Sequence, residues 1–232
     1  MRRIIVSMFA IGCVVAAMVT GAADKEFASK FTVAADEWTN VSESAYFKLS
    51  PGYTAVLEGK EDGKVTVLII KVLDETLLVD GVQTRVVEER QTEDGQLVEV
   101  SRNYFAASKK TGDIYYFGED VDIYNAGKLT GHGGSWRAGV NDANFGLMIP
   151  NQPHVGDRYY QELAGDVARD RAEIVSVTET LTTPAGKFTN CVKTVETTPL
   201  EKGAKEYKLY APGPGLVQDS DLLLTRYGKN VK

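Results

Sequence analysis

Lys64-Val65-Thr66-Val67-Leu68-Ile69-Ile70-Lys71-Val72-Leu73 decides the fold class, because it has the Val- and Ile-rich composition of a buried strand. The tight-turn dipeptide Asp80-Gly81 comes next, then the β-branched run Val82-Gln83-Thr84-Arg85-Val86-Val87. Upstream, Tyr53 to Gly59 reads as another strand, with Glu61-Asp62-Gly63-Lys64 as its turn. Downstream, Asp94-Gly95 turns again, Gln96 to Ala106 continues as strand, and Thr111-Gly112-Asp113 leads into β-prone Ile114 to Phe117. Turns at such short intervals indicate antiparallel meanders rather than βαβ units. No long stretch shows a helical period.

The second half repeats this order. Gly52-Tyr53-Thr54-Ala55-Val56-Leu57-Glu58 pairs with Gly156-Asp157-Arg158-Tyr159-Tyr160-Gln161-Glu162, and Val65 to Ile69 with Ala172 to Val177. Glu99 to Ala106 followed by Gly112-Asp113-Ile114-Tyr115 parallels Glu206 to Ala211 followed by Gly215-Leu216-Val217. This predicts an internal duplication, residues 46–124 and 155–227, joined by a Gly- and Pro-rich loop over 125–154. Two meanders, each with one apolar face, must bury those faces as a sandwich or as one curved sheet or barrel. One continuous, bent sheet or barrel over residues 24–232 is favoured, since closure also removes exposed edges. Polar residues 25–45, with Phe27, Phe31 and Trp38 spaced apart, read as a short helix or as an arm lying on the body.

The N-terminus reads as an export signal, residues 1–23. Arg2 and Arg3 supply charge, Ile4 to Val19 is apolar or small with Ser7 as its hydroxyl, and Gly21-Ala22-Ala23 precedes polar Asp24-Lys25-Glu26. The competing readings are an uncleaved anchor and a lipoprotein signal cut before Cys13. The second would leave a greasy new terminus at Val14 to Val19. Cleavage after Ala23 predicts a secreted or periplasmic protein with no membrane span of its own. It also leaves Cys191 without an intramolecular disulfide partner, as a small buried hydrophobe.

The chain of 232 residues is 43% hydrophobic and 25% charged, which excludes a largely disordered protein. Its net charge of −6 provides no field for nucleic acid. Neither a Gly-x-Ser-x-Gly elbow nor a phosphate-binding Gly loop occurs, so nucleophilic hydrolysis and phosphoryl or hydride transfer lack their usual residues. His132-Gly133-Gly134-Ser135-Trp136 looks like an esterase oxyanion loop without its nucleophile. No cofactor is implied. Zinc patterns are missing, whereas Glu119, Asp120 and Asp122 form a weak calcium candidate. Glu162, Asp166, Asp170 and Glu173 are also close in sequence, but strand and turn would scatter them over both faces. Candidate ligand contacts are Tyr116, Glu119, His132, Trp136 and Glu162. The aromatics could stack on a flat ligand and the carboxylates could serve a glycosidase. In the 125–154 loop, Trp136, Phe145, Leu147 and Met148 form either a plug at an open sheet end or the contacts of a lid.

From Tyr46 onward the chain resembles a family of bacterial secreted or lipid-anchored β-rich envelope proteins. The residues that carry the resemblance are Tyr116-Phe117-Gly118-Glu119, Gly134-Ser135-Trp136-Arg137-Ala138-Gly139, Met148-Ile149-Pro150 with Pro153 and Gly156-Asp157, and Tyr210-Ala211-Pro212-Gly213-Pro214-Gly215-Leu216-Val217. The ending also looks like that of larger groups of envelope proteins whose curved sheets cradle lipid-like ligands. The resemblance implies a fold and a location, and no reaction. The expectation is an exported, non-catalytic protein that binds a small apolar or amphipathic ligand or an envelope partner. The alternatives are a carboxylate-dependent hydrolase of glycan or another extracellular polymer, and a purely structural envelope protein.

Overall fold

The computed structural model describes residues 26–42, 44–229 and 231. The export signal expected at residues 1–23 lies outside them. The described chain is almost entirely antiparallel β structure. Its strands are β1 (Trp38–Thr39), β2 (Tyr53–Glu61), β3 (Lys64–Val79), β4 (Val82–Glu93), β5 (Gln96–Ser108), β6 (Ile114–Asn125), β7 (Lys128–Gly131) and β8 (Trp136–Arg137). They continue as β9 (Asn144–Ile149), β10 (Arg158–Tyr160), β11 (Glu162–Leu163), β12 (Arg171–Thr183), β13 (Gly186–Thr197), β14 (Glu206–Ala211), β15 (Gly215–Asp219) and β16 (Leu222–Lys229).

These strands form one sheet in the order β10-β12-β13-β14-β15-β16-β2-β3-β4-β5-β6-β9-β11. Its two end strands, β10 and β11, are separated in the chain by Gln161 alone. One short segment, 158–163, is therefore both margins of the sheet, and the sheet is nearly closed into a barrel. Gly146 of β9 makes that approach possible: a Cβ there would lie 2.3 Å from the Gln161 carbonyl oxygen. β2 to β6 follow one another across the sheet in chain order. So do β12 to β16, preceded by β10, and the two runs meet where β16 pairs with β2.

Hairpin turns hold this order in place. Asp62-Gly63, Asp80-Gly81 and Asp94-Gly95 each place two successive residues at positive φ, the geometry that matches the twist of two-residue hairpins. Between Val72 and Thr76 the long β3 strand bulges. The buried Arg85 guanidinium donates to the Leu73 and Glu75 carbonyls beside that bulge, and to the Asn40 carbonyl. One buried cation thus satisfies a bend in the sheet and ties down the N-terminal segment.

The region 125–154 differs from the loop expected. It contains β7, β8 and β9, and all three pair with β6 along its length. The long edge of β6 supplies the backbone partners, so these short, Gly-rich pieces need no alternating pattern of their own. The described residues of 26–49 form an arm, and the one 3-10 turn among them is Ala35–Glu37. Trp38 packs edge-on to Tyr115, Phe117 and Phe145. Phe27 lies beneath the Arg158 and Arg171 guanidinium groups, 4.3 and 4.4 Å from its ring centre. Ala28 hydrogen-bonds both ways with β10, which fixes the arm along the seam. Cys191 is fully buried in a second apolar cluster, where the β12–β13 hairpin covers β14 to β16. No described helix is long and apolar enough to cross a membrane.

Candidate functional site

Cross-strand register sets the inner face of the barrel. Residues directly opposite one another in adjacent strands share a face. One inner row is Tyr159, Ala172 and Glu196, and the next is Ile174, Thr194, Lys208 and Asp219. On the other half of the sheet, Val72, Val87, Asn103, Glu119 and Trp136 form a corresponding row. Between these rows lies a cavity of about 100 Å³. Phe47, Leu68, Ile70, Phe105 and Leu216 provide its apolar wall, and tyrosines 46, 53, 116 and 210 add phenol rings.

The polar end of the cavity is built around Lys208. Its ammonium lies 3.2 Å from Glu196 and 3.5 Å from Asp219. Thr194 and Gln161 both donate to Glu196 Oε1, at 3.4 and 3.2 Å. The Lys208 side chain keeps 14% of its surface accessible, and it lines the cavity. Burial works against the ammonium, but Asp219, then Glu196, outweigh it and hold the Lys208 pKa well above its ordinary value. The raised value adds stability at every pH below the ordinary lysine range, and that stability is lost only as pH rises through the folded value. Tyr159 and Tyr210 are shifted up, first by burial and next by the Glu196 charge. The Tyr159 hydroxyl is buried and finds no hydrogen-bond partner among the described residues.

Of the five candidate contacts, Tyr116 and Glu162 line the cavity. Tyr116 donates to Asn103 Oδ1 at 2.5 Å and stacks on Phe105. Glu119 is buried on the inner face beside Asn103 and Trp136. Trp136 packs edge-on to Tyr116, 5.4 Å between ring centres, and is 6% exposed. Trp136 is thus packed into the apolar core. His132 falls elsewhere: its Nδ1 sits 2.9 Å from Asp122 on the outer face, and its side chain is exposed.

The calcium candidate does not assemble. Strand alternation turns Glu119 inward and Asp120 and Asp122 outward. Asp120 is bound by Arg137 and by the Tyr104 hydroxyl, and Asp122 is paired with Arg102 and His132. No metal-holding group of acids, histidines or cysteines occurs among the described residues. The other acidic group divides. Glu162 and Asp170 come together at the cavity, where the Asp170 amide donates to Glu162 Oε2, while Glu173 pairs with Arg158 instead.

The Lys208, Glu196, Asp219 and Tyr210 set was not singled out from sequence. Its members lie on three strands, and only long-range register joins them. The local signal was a lysine between apolar residues in Tyr207-Lys208-Leu209-Tyr210, an alternation with a charge at an inward position.

Glu61, at the end of β2, lies near Asp219. Burial, then the charges of Asp219, Glu206, Asp221 and Asp62, push its pKa up to about 7. A raised folded value means the native state keeps a proton that the unfolded chain releases. Glu61 therefore makes stability fall as pH rises from 4.5 to about 7. Glu61→Gln should flatten that slope. Above the window it should be about 1 kcal/mol more stable than wild type, because solvent on the open side screens much of the charge. Urea melts across the pH range check this, and an unchanged slope would sink it.

No family model matches the chain, and no curated protein or solved structure matches it.

Proposed function

We propose that this is an exported, non-catalytic binding protein that holds a small amphipathic molecule inside its barrel. The observation that carries the reading is the cavity itself: aromatic and aliphatic walls on one side, and the hydrogen-bonded Lys208, Glu196 and Asp219 group on the other. Ligand sites are mostly apolar hollows with a few placed polar groups that fix orientation. An apolar tail against Phe105 and Leu68 and a polar head toward Lys208 would match both ends. Export rests on residues 1–23, and the acidic net charge suits a protein in solution rather than one held on anionic lipid.

The test is calorimetric titration with straight-chain alcohols from butanol to decanol. The expected result is one site per chain, with affinity rising along the series until the tail outgrows the cavity. Val87→Phe, which pushes a ring into the hollow, should abolish binding while the β spectrum is kept. Absence of binding across the whole series, or equal binding by Val87→Phe, would overturn the reading. The carboxylate hydrolase competes through the buried acids Glu119 and Glu162. Turnover of a glycan or ester substrate that disappears in Glu119→Gln or Glu162→Gln would favour it instead.

A further inference from the structure

We infer that the apolar part of the ligand is a single aromatic ring and that its polar part is one oxygen that accepts hydrogen bonds, as in a phenol or an aryl ketone. This rests on the cavity-binding reading above and narrows its ligand. Size sets the first limit. A benzene ring sits in an apolar cavity of about 150 Å³ without filling it at protein packing density. The cavity here is about 100 Å³, so one ring is the largest apolar body it takes, and a long acyl chain is too big. The walls set the second limit. The hollow is lined by the rings of Phe47, Phe105 and tyrosines 46, 53, 116 and 210. Phe105 stacks on Tyr116 at 4.7 Å between centres, and Phe47 meets Phe105 edge-on at 4.9 Å. A flat ring extends such an array through offset or edge-to-face contacts, which a saturated group of the same size does not make.

The polar end supplies the partners of the oxygen. Lys208 and Tyr210 are two residues apart on β14, so they share the inner face, and both line the cavity. An ammonium group has three N–H donors. Glu196 and Asp219 account for two of them, and one remains. Tyr210 is 2% exposed, yet its hydroxyl makes no hydrogen bond to a described residue. In this it differs from Tyr116 and Tyr53, whose hydroxyls donate to Asn103 and to the Pro214 carbonyl. Burial first, then the Glu196 charge, keep the proton on Tyr210 at ordinary pH, so its hydroxyl is a donor. A buried donor left unmet is costly. One ligand oxygen between Lys208 and Tyr210 would satisfy both.

The experiment titrates three probes of similar size, phenol, cyclohexanol and benzene, into wild-type protein and reads each affinity from NMR shifts. Intermolecular NOEs to the ring protons of Phe105 and Tyr116 show whether each probe is in the cavity. The expected result is phenol in the cavity, bound about fivefold or more tighter than either of the others, because cyclohexanol lacks π faces and benzene lacks the oxygen. Tyr210→Phe should weaken phenol about fivefold and leave benzene unchanged. If cyclohexanol contacts the same rings and binds as tightly as phenol, cavity binding stands and the aromatic ring is overturned. If benzene matches phenol, or Tyr210→Phe binds phenol as wild type does, the oxygen beside Tyr210 is overturned. If none of the three contacts the rings, both readings fall. The comparison of probes uses wild-type protein alone, so misfolding of the variant cannot imitate its result.

Discussion

Lys208→Met should destabilise the protein by about 3–5 kcal/mol, the cost of removing one partner from a buried ion pair. The methionine fills much of the lysine volume, so the loss is electrostatic rather than steric. It leaves Glu196 and Asp219 facing one another inside the barrel, where Lys208 now sits within 3.5 Å of both. A second variant separates charge from packing. Lys208→Met combined with Glu196→Gln and Asp219→Asn removes all three charges, and it should recover most of the loss. Urea unfolding of the two proteins is the measurement. A single variant within about 1 kcal/mol of wild type would mean that the three groups are not held apart from solvent.

Trp136→Ala is expected to cost about 3–5 kcal/mol, as other large-to-small core changes do. The indole is 6% exposed and is held by β8, whose backbone presses on β6 at Gly118. A Cβ at Gly118 would come within 2.3 Å of the Trp136 carbonyl oxygen, and the φ there is 134°. The fit is therefore specified from both strands. The indole N–H has no acceptor among the described residues, so what Trp136 contributes is its ring. Trp136→Phe should accordingly remain within about 1 kcal/mol of wild type, because it keeps most of the ring and removes an unsatisfied donor. Urea melts followed in a Trp38→Phe background leave Trp136 as the sole indole reporter of the parent. An alanine variant as stable as its parent, with ligand binding abolished, would instead make Trp136 a ligand contact.

The parts legible in the sequence were those set by neighbouring residues. Asp80-Gly81 and Asp94-Gly95 predicted their hairpins because positive φ at two successive positions is a local demand that few residue pairs meet. The composition of 64–73 predicted a strand for a similar reason. In the 125–154 region the local signal pointed to loop, and the structure there comes from a distant partner. β7, β8 and β9 exist because β6 offers its edge. The site divided along the same line. Tyr116 and Glu162 were found as an aromatic and an acid in suggestive neighbourhoods. Lys208, Glu196 and Asp219 escaped because their meeting depends on the alignment of β13, β14 and β15, which no short window encodes. Glu119, Asp120 and Asp122 failed as a set for the converse reason: adjacency along a strand separates side chains.

Segment 158–163, which forms both margins of the sheet, also bears on how the chain reaches its native state. The margins are already tethered through Gln161, so bringing them together costs little loop entropy. The expensive union is on the far side of the cylinder, where β16 meets β2 and Lys229 lies opposite Tyr53. Nearly the whole chain must be ordered or looped out before that pair forms. Contacts so remote in sequence make folding slow, on the order of milliseconds to seconds. Until they form, β2 and β16 carry unpaired backbone edges of the kind that recruit strands from other molecules. The competition between self-association and completion of the fold is thus decided at β16.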